Sequence, residues 1–410
     1  MAWYTLTIWE RQMTGDRDAG SIRDTSFRLI LLLGAISLCG DFISNGARSV
    51  TGPYLELLGA GAAVVGLVGG LGEFIGYALR LATGVYADRS RHYWTMTLVG
   101  YGLLAVIPFL ALAGQWEVAA LLIILERIGK AIRTPARDTI LSHATSSVGR
   151  GRGFGIHKAL DQFGAILGPL TFAAVLLAGA GYTGGFLVLV IPLAFTFATL
   201  FAARAAVPKP RGLEVVQEKN GPETADLPAL LPYATFIFLG MAGFASFPLI
   251  SYHFVAGQVI PDVDIPILYA IAMTVSVLVA LVIGRVYDRF GYRTLIAIPI
   301  INSLIPFFAF SLEFQAVLFG ALLWGLGIGI YETVFRATIA DVTAVGMRGQ
   351  AYGFLNAAFG TALFLGSVVM GVLYEVSIVH IIVYVLIVEV LALAAFFWMI
   401  AAAGSRGEGV

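Results

Sequence analysis

Glu126, Lys130, Arg133 and Arg137 follow the spacing i, i+4, i+7, i+11, which lines them along one face of a helix. The residues around them are largely apolar, and an ionisable group inside a bilayer costs about 3 kcal/mol on insertion scales unless it is paired or faces water. The stripe therefore predicts a helix bordering a water-filled cavity. Two kinds of chemistry are open to such a wall: proton exchange on carboxylates, and charge-assisted binding of an anionic group.

Neighbouring stretches supply partners for the stripe. His157 and Asp161 share a helical face with Gly164 and Gly168, with Lys158 beside them, and Asp41 and Asn45 lie one turn apart in the first apolar run. Counting from the start of each run places Asp41, Glu73, Glu126 and Arg127 about 13 to 20 Å into a membrane. A carboxylate at that depth, beside Arg127 or Lys130, can exchange the cation for a proton as access changes. Asp41 is the leading candidate, with Glu126 and Asp161 as competing sites. Arg127, Lys130 and Lys158 suit an anionic substrate group; the alternative is that the acids only neutralise them. Of the seven cations inside apolar runs, Arg48, Arg80, Arg127, Lys130, Arg133, Lys158 and Arg336, six lie in the first half. The second half offers Ser246, Tyr252, His253, Tyr269, Trp324, Tyr331, Glu332 and Asn356, a surface of aromatic and hydrogen-bonding groups with little charge, while Glu389 is assigned no role.

The elements that position these side chains are membrane spans. Hydrophobic residues make up 59% of the 410 residues and charged residues 12%, with a mean hydropathy of +0.89, well outside the range of soluble domains. Apolar runs of about 20 residues, enough to cross about 30 Å of hydrocarbon, recur along the whole chain. Twelve spans are expected, near 28–50, 62–86, 94–113, 117–139, 150–177 and 184–204, then near 230–256, 265–286, 294–312, 315–340, 348–374 and 379–402. The expected fold class is thus an all-α membrane protein of two six-helix bundles. A cytosolic tail covers 1–27, the first bundle 28–206, a Pro-rich charged linker 207–229, the second bundle 230–403 and a second cytosolic tail 404–410. Alternate connectors near 51–61, 113–117, 178–183, 257–264, 312–315 and 375–380 contain no Lys or Arg. Basic residues mark the cytoplasmic side, so both termini are expected there.

The chain also repeats itself. Gly84-Val85-Tyr86-Ala87-Asp88-Arg89-Ser90-Arg91 returns as Gly284-Arg285-Val286-Tyr287-Asp288-Arg289-Phe290-Gly291, and Arg133-x4-Asp138 returns as Arg336-x4-Asp341. Arg150-Gly151-x3-Gly155 returns as Arg348-Gly349-x3-Gly353, so the halves read as parallel repeats.

With its doubled Gly and Asp-Arg positions after the second span of each half, the chain resembles the major facilitator superfamily, whose loop there carries G-x-L-A-D-R-x-G-R-R/K. Arg91 stands where the first repeat usually has Gly, and His92-Tyr93 where two cations are usual. The resemblance implies two rocking bundles, spans one, four and five around a central cavity, and a loop aspartate that holds the outward-open state. Asp88, Arg89, Asp288 and Arg289 are on that ground expected gate residues. Arg133 with Asp138, and Arg336 with Asp341, are read as gate residues at matched helix ends. Gly155-x8-Gly164-x3-Gly168-Pro169 resembles the superfamily's antiporter signature, with Phe172 and Ala173 in place of the usual glycine pair. Physically, Gly155, Gly164 and Gly168 are expected to let a neighbouring helix approach and Pro169 to bend the span.

The function expected is secondary active transport of a small polar solute, an organic anion or zwitterion, by alternating access coupled to protons. A multidrug-type proton antiporter is the alternative, and a non-transporting solute receptor is a reading of another class. No enzyme, cofactor or metal is expected: five histidines are scattered, Cys39 is the only cysteine, and Gly151-x-Gly153-x-Gly155 opens a span instead of following a strand. A net charge of +0 gives no field to recruit nucleic acid. The expected partners are a small-molecule substrate, a proton and the lipid of the cell membrane, with the chain as a monomer.

Overall fold

In the computed structural model, residues 2–210, 227–342 and 348–405 are described, with side chains described for 23–149, 151–210, 230–335, 337–338 and 351–402. Among them there are helices and no strand. The first half holds α1 (Ala2–Ser49), α2 (Ala62–Ser90), α3 (Tyr93–Gly102, continued by tight turns to Leu112), α4 (Trp116–Val148), α5 (Arg150–Leu177) and α6 (Gly181–Val188 and Val190–Ala206). The second half holds α7 (Leu227–Ala242 and Phe247–Ala256), α8 (Asp264–Phe290), α9 (Ala297–Ala309), α10 (Phe314–Val342), α11 (Arg348–Val376) and α12 (Ile378–Ser405).

Among the described residues, ten segments are long and apolar enough to cross a membrane. The difference from the expected twelve has two sources. α8 and α9 run together as one stretch of 46 residues, Asp264–Ala309. α4 falls outside the ten because Glu117, Glu126, Arg127, Lys130, Arg133, Arg137 and Asp138 lower its apolarity. It also continues to Val148 instead of ending near 139, and there Thr139, Thr145 and Ser146 satisfy their hydroxyls on carbonyls of their own helix. Residues 211–226 of the expected linker and 406–410 of the expected tail lie outside the described residues.

The repeated phrase closes α2 and α8 in the same way. Arg91, three residues after Asp88, caps α2 in the left-handed conformation at φ 59°, and Gly291, three residues after Asp288, ends α8 at φ 58°. The glycine position of the motif is thus the helix stop, and the first repeat fills it with a non-glycine residue held in a region that side chains disfavour.

Each half has its own apolar core, and the two meet along α2 with α11 and α5 with α8. At the end carrying the connectors without basic residues the halves touch backbone to backbone. A Cβ at Gly52 would lie 2.0 Å from the Pro248 carbonyl oxygen, one at Gly66 2.3 Å from that of Ser367, and one at Gly371 2.7 Å from that of Ala62. Across the same end the Tyr182 hydroxyl donates to Asp262 at 2.9 Å and the Ala63 amide donates to Glu375 at 3.1 Å. At the opposite, basic end, Asp88, Arg89 and Asp288 are exposed. Lys158 and Glu332, between the halves, are 44% and 39% exposed, so the seam is open at this point.

α7 is broken between Ala242 and Phe247 where the sequence predicts one span over 230–256. The carbonyls near the break are capped by side chains: Asn302 Nδ2 donates to Gly240 at 2.7 Å, Tyr384 to Ala242 at 3.1 Å, and Trp324 Nε1 to Ala245 at 2.9 Å. Irregular backbone at membrane depth persists only with such internal partners.

Candidate functional site

Close packing of α5 on α1 builds the site. A Cβ at Gly164 would lie 2.0 Å from the Leu38 carbonyl oxygen and one at Gly168 2.0 Å from that of Phe42, so the two backbones touch, and Pro169 is buried beside them. Asp161, one turn before Gly164, is thereby brought to the side of α5 that packs on α1, the helix that carries Asp41. Gly155 does not share this role: it is exposed, and a Cβ there meets nothing within 4 Å. Nine residues before Gly164 is about two and a half turns, on the opposite face of α5. Gly153 is on the packed face instead, with a Cβ meeting Thr145 at 2.3 Å.

On α1, Asp41, Ser44, Asn45 and Arg48 share one face and look toward the charged stripe of α4. Two arms of ion pairs result. In the first, Arg48 Nη2 lies 2.6 Å from Glu73 Oε1, which also lies 4.0 Å from Arg127 Nη1. Arg127 Nε lies 3.4 Å from Glu126 Oε2, and Glu126 Oε1 lies 3.6 Å from Arg133 Nη2 and accepts from the Ser44 hydroxyl at 2.7 Å. Gly72 makes room for the Arg127 stem, whose Cγ would lie 3.0 Å from a Cβ there.

The second arm runs toward the basic end. Lys130 Nζ lies 3.5 Å from Asp41 Oδ1, and Lys158 Nζ lies 3.5 Å from Asp161 Oδ2 and 3.5 Å from Glu332 Oε2 on α10. Its last pair joins the two halves. A second tie between them is neutral: the Tyr269 hydroxyl donates to Asn45 Oδ1 at 2.8 Å, while Asn45 Nδ2 donates to the Asp41 carbonyl at 3.0 Å.

The structure brings Asp41, Asn45, Glu126, Arg127, Lys130, Lys158 and Asp161 together between α1, α4 and α5. His157 is adjacent but turned to α1, its Nε2 2.8 Å from the Ser37 hydroxyl that also accepts from Arg137. Arg133 sits elsewhere than the gate predicted for it. It is 2% exposed, pairs with Glu126 and stacks over Tyr101 at 4.8 Å, because the α4 stripe turns it inward; Asp138 is taken by Arg137 at 2.8 Å. Asp88, Arg89 and Asp288 form no ion pair among the described residues, and Arg289 stacks over Phe290 at 5.4 Å. The side chains of Arg336 and Asp341 lie outside the described residues. Arg48, Glu73 and Glu332 enter the site without a role assigned from sequence. For Arg48 a signal existed: Asp41, Asn45 and Arg48 repeat the i, i+4, i+7 spacing of α4.

The family model of the Major Facilitator Superfamily matches residues 31–259 and 232–408. An uncharacterized protein of Mycobacterium tuberculosis (strain H37Rv) is 42% identical over 91% of this chain and 93% of its own length. An uncharacterized MFS-type transporter of Methanocaldococcus jannaschii is 26% identical over 85% and 89%. The class B tetracycline resistance protein of Escherichia coli is 30% identical over 32% of each chain. Among solved structures, a bacterial homologue of the human lysosomal transporter Spinster, inward-facing and unoccupied, superposes with a TM-score of 0.72 at 14% identity, covering 92% of this chain and 97% of that one. Repeats, fold and sequence agree: the chain belongs to the major facilitator superfamily.

Proposed function

We propose that this protein is a secondary transporter that moves a small organic anion or zwitterion by rocking its two bundles, coupled to protons. The observation that carries the reading is a pair of acids on two touching helices, Asp41 with Lys130 at 3.5 Å and Asp161 with Lys158 at 3.5 Å. Such a pair binds a proton in one state and its lysines in the other, which is the switch a coupled carrier needs. The basic residues of the tails and alternate connectors support cytoplasmic termini in the cell membrane. In that orientation the described conformation has its outer end shut. Asp88 and Asp288 then engage their helix-end partners when the inner end closes.

The test is transport in proteoliposomes. Asp41→Asn is expected to abolish accumulation driven by a proton gradient and to spare exchange of labelled for unlabelled solute; undiminished driven accumulation removes Asp41 from the mechanism. The likeness to a tetracycline resistance protein favours a second reading, a drug–proton antiporter. Protection by carboxylates supports the first reading, and resistance of expressing cells to lipophilic cations the second.

A further inference from the structure

α2 begins without a capping side chain of its own. The stretch Gly59-Ala60-Gly61-Ala62-Ala63-Val64 offers no Ser, Thr, Asp or Asn, and the N-cap position is held by Gly61. The first amides of a helix have no acceptor within it, so one must come from outside. Here it comes from the other half: Glu375 of α11, 312 residues away in sequence, accepts from the Ala63 amide at 3.1 Å.

Glu375 is placed against the interest of its own helix. It stands one residue before α11 ends at Val376, where the exposed carbonyls make a carboxylate unfavourable, and it faces the amide end of α2, where a carboxylate is favourable. Gly371, one turn earlier, lets α11 come close, since a Cβ there would lie 2.7 Å from the Ala62 carbonyl oxygen. Gly61 leaves room for the carboxylate itself, whose Oε1 would lie 2.8 Å from a Cβ at that position. The repeat-related helix is built differently. α8 begins at Asp264 and so carries an acid in its own first turn, while Asp262 just before it accepts from Tyr182 of the first half at 2.9 Å. The start of α8 keeps its acid whether or not the halves touch; the start of α2 keeps Glu375 only while they do.

Resting on the rocking of the two bundles proposed above, we propose that Glu375 is a conditional helix cap, lent by the second half to α2 of the first only while the end without basic connectors is shut. It is a latch: parting the halves at this end leaves the Ala63 amide uncapped, which holds the balance toward the shut state. Tyr182 and Asp262 close the second crossing of the same end by an ordinary hydrogen bond between the halves.

The test counts openings of this end in the full-length protein. Cys39→Ser removes the one native thiol, and Ser251→Cys places a new one on the second segment of α7, where Ser251 is 0% exposed and packs against Gly52 of the first half, apart from the Glu375 contact. The rate of labelling by a water-soluble maleimide in detergent then follows the open population. Glu375→Ala is expected to raise that rate about fivefold, the size of a lost helix cap. In a Gly61→Ser background, where a hydroxyl caps α2 in both states, Glu375→Ala is expected to change the rate by less than about twofold. An unchanged rate in Glu375→Ala, or a full effect that persists in Gly61→Ser, overturns the proposal. Gly66→Ala separates its failure from that of the rocking, because a methyl group there meets the Ser367 carbonyl and wedges the halves apart at the same end. Faster labelling in Gly66→Ala with an unchanged rate in Glu375→Ala removes the latch and leaves the rocking; an unchanged rate in both removes both.

Discussion

Glu126 on α4 and Glu389 on α12 are equally buried, each 2% exposed, and their surroundings are opposite. Glu126 lies between the guanidinium groups of Arg127 and Arg133 and accepts from Ser44. Glu389 receives Asn302 Nδ2 at 3.1 Å and packs against Gly243, where a Cβ would lie 2.2 Å from its Oε1; among the described residues no cation pairs with it. Burial alone therefore says little about what an acid inside the membrane does. The counter-charge decides: the first half is built around paired ions, the second, at Glu389, around a dry wall that braces the break in α7.

The largest expected effect follows from removing the centre of the ionised half. Glu126→Gln leaves Arg133 buried without a counter-charge, and breaking a buried pair in this way costs about 3 to 5 kcal/mol. Thermal unfolding of the detergent-solubilised protein should show a clear loss of stability. A wild-type unfolding curve would mean that the arginines are held by something other than Glu126, and the contrast with Glu389 would lose its basis.

Next comes the carboxyl pair. Asp161→Asn keeps the shape and removes one member, so proton-driven accumulation should fall about tenfold or more, equivalent to about 1.4 kcal/mol or more on the driven step, while solute exchange is retained. Driven accumulation at the wild-type level would sharpen the comparison in another direction, since it would confine coupling to Asp41 or Glu126.

Much of this site is legible in the residues themselves. The α4 stripe is readable because four charges at helical spacing in an apolar run are too costly to leave facing lipid, so the helix must turn them toward water or toward each other. The doubled Asp-Arg phrase, with the two other matched elements, reads as a chain built twice. What is not legible has physical causes. Arg133 reads as a helix-end residue from its repeat partner Arg336, but which way a side chain turns depends on the packing of α3, where Tyr101 receives it. The break in α7 is bounded by Gly243 and Pro248, which weaken a helix there, but what holds it open is not readable in its own residues: Asn302, Tyr384 and Trp324 from three other helices cap the carbonyls around it. Glu332 looks like part of a polar aromatic surface until the halves are closed on each other and Lys158 reaches it.

Helix packing offers a contrast of the same kind within one helix. Gly164→Ala puts a methyl group into the backbone of α1, which cannot yield as a side chain would, and overpacking of this sort costs about 1 to 3 kcal/mol. Gly155→Ala, on the open face, should stay within about 0.5 kcal/mol of wild type. Equal stability of the two variants would mean that α5 and α1 can part without loss, and the carboxyl pair they hold together would then be an accident of approach.

The smallest effect is expected where the comparison began. Glu389→Gln preserves the length and branching of the side chain and replaces an unpartnered oxygen with an amide that can donate. Two buried acceptors there lack a donor among the described residues, Glu389 Oε2 and Asn302 Oδ1, so the substitution offers something the native residue lacks as an ion. Stability should change by less than about 1 kcal/mol, in either direction, because no charge pair is broken. Proton-driven transport should match wild type. If instead Glu389→Gln unfolds as readily as Glu126→Gln, or loses coupling as Asp161→Asn does, then the second half carries a working ion of its own, and the division between an ionised half and a dry one does not describe this molecule.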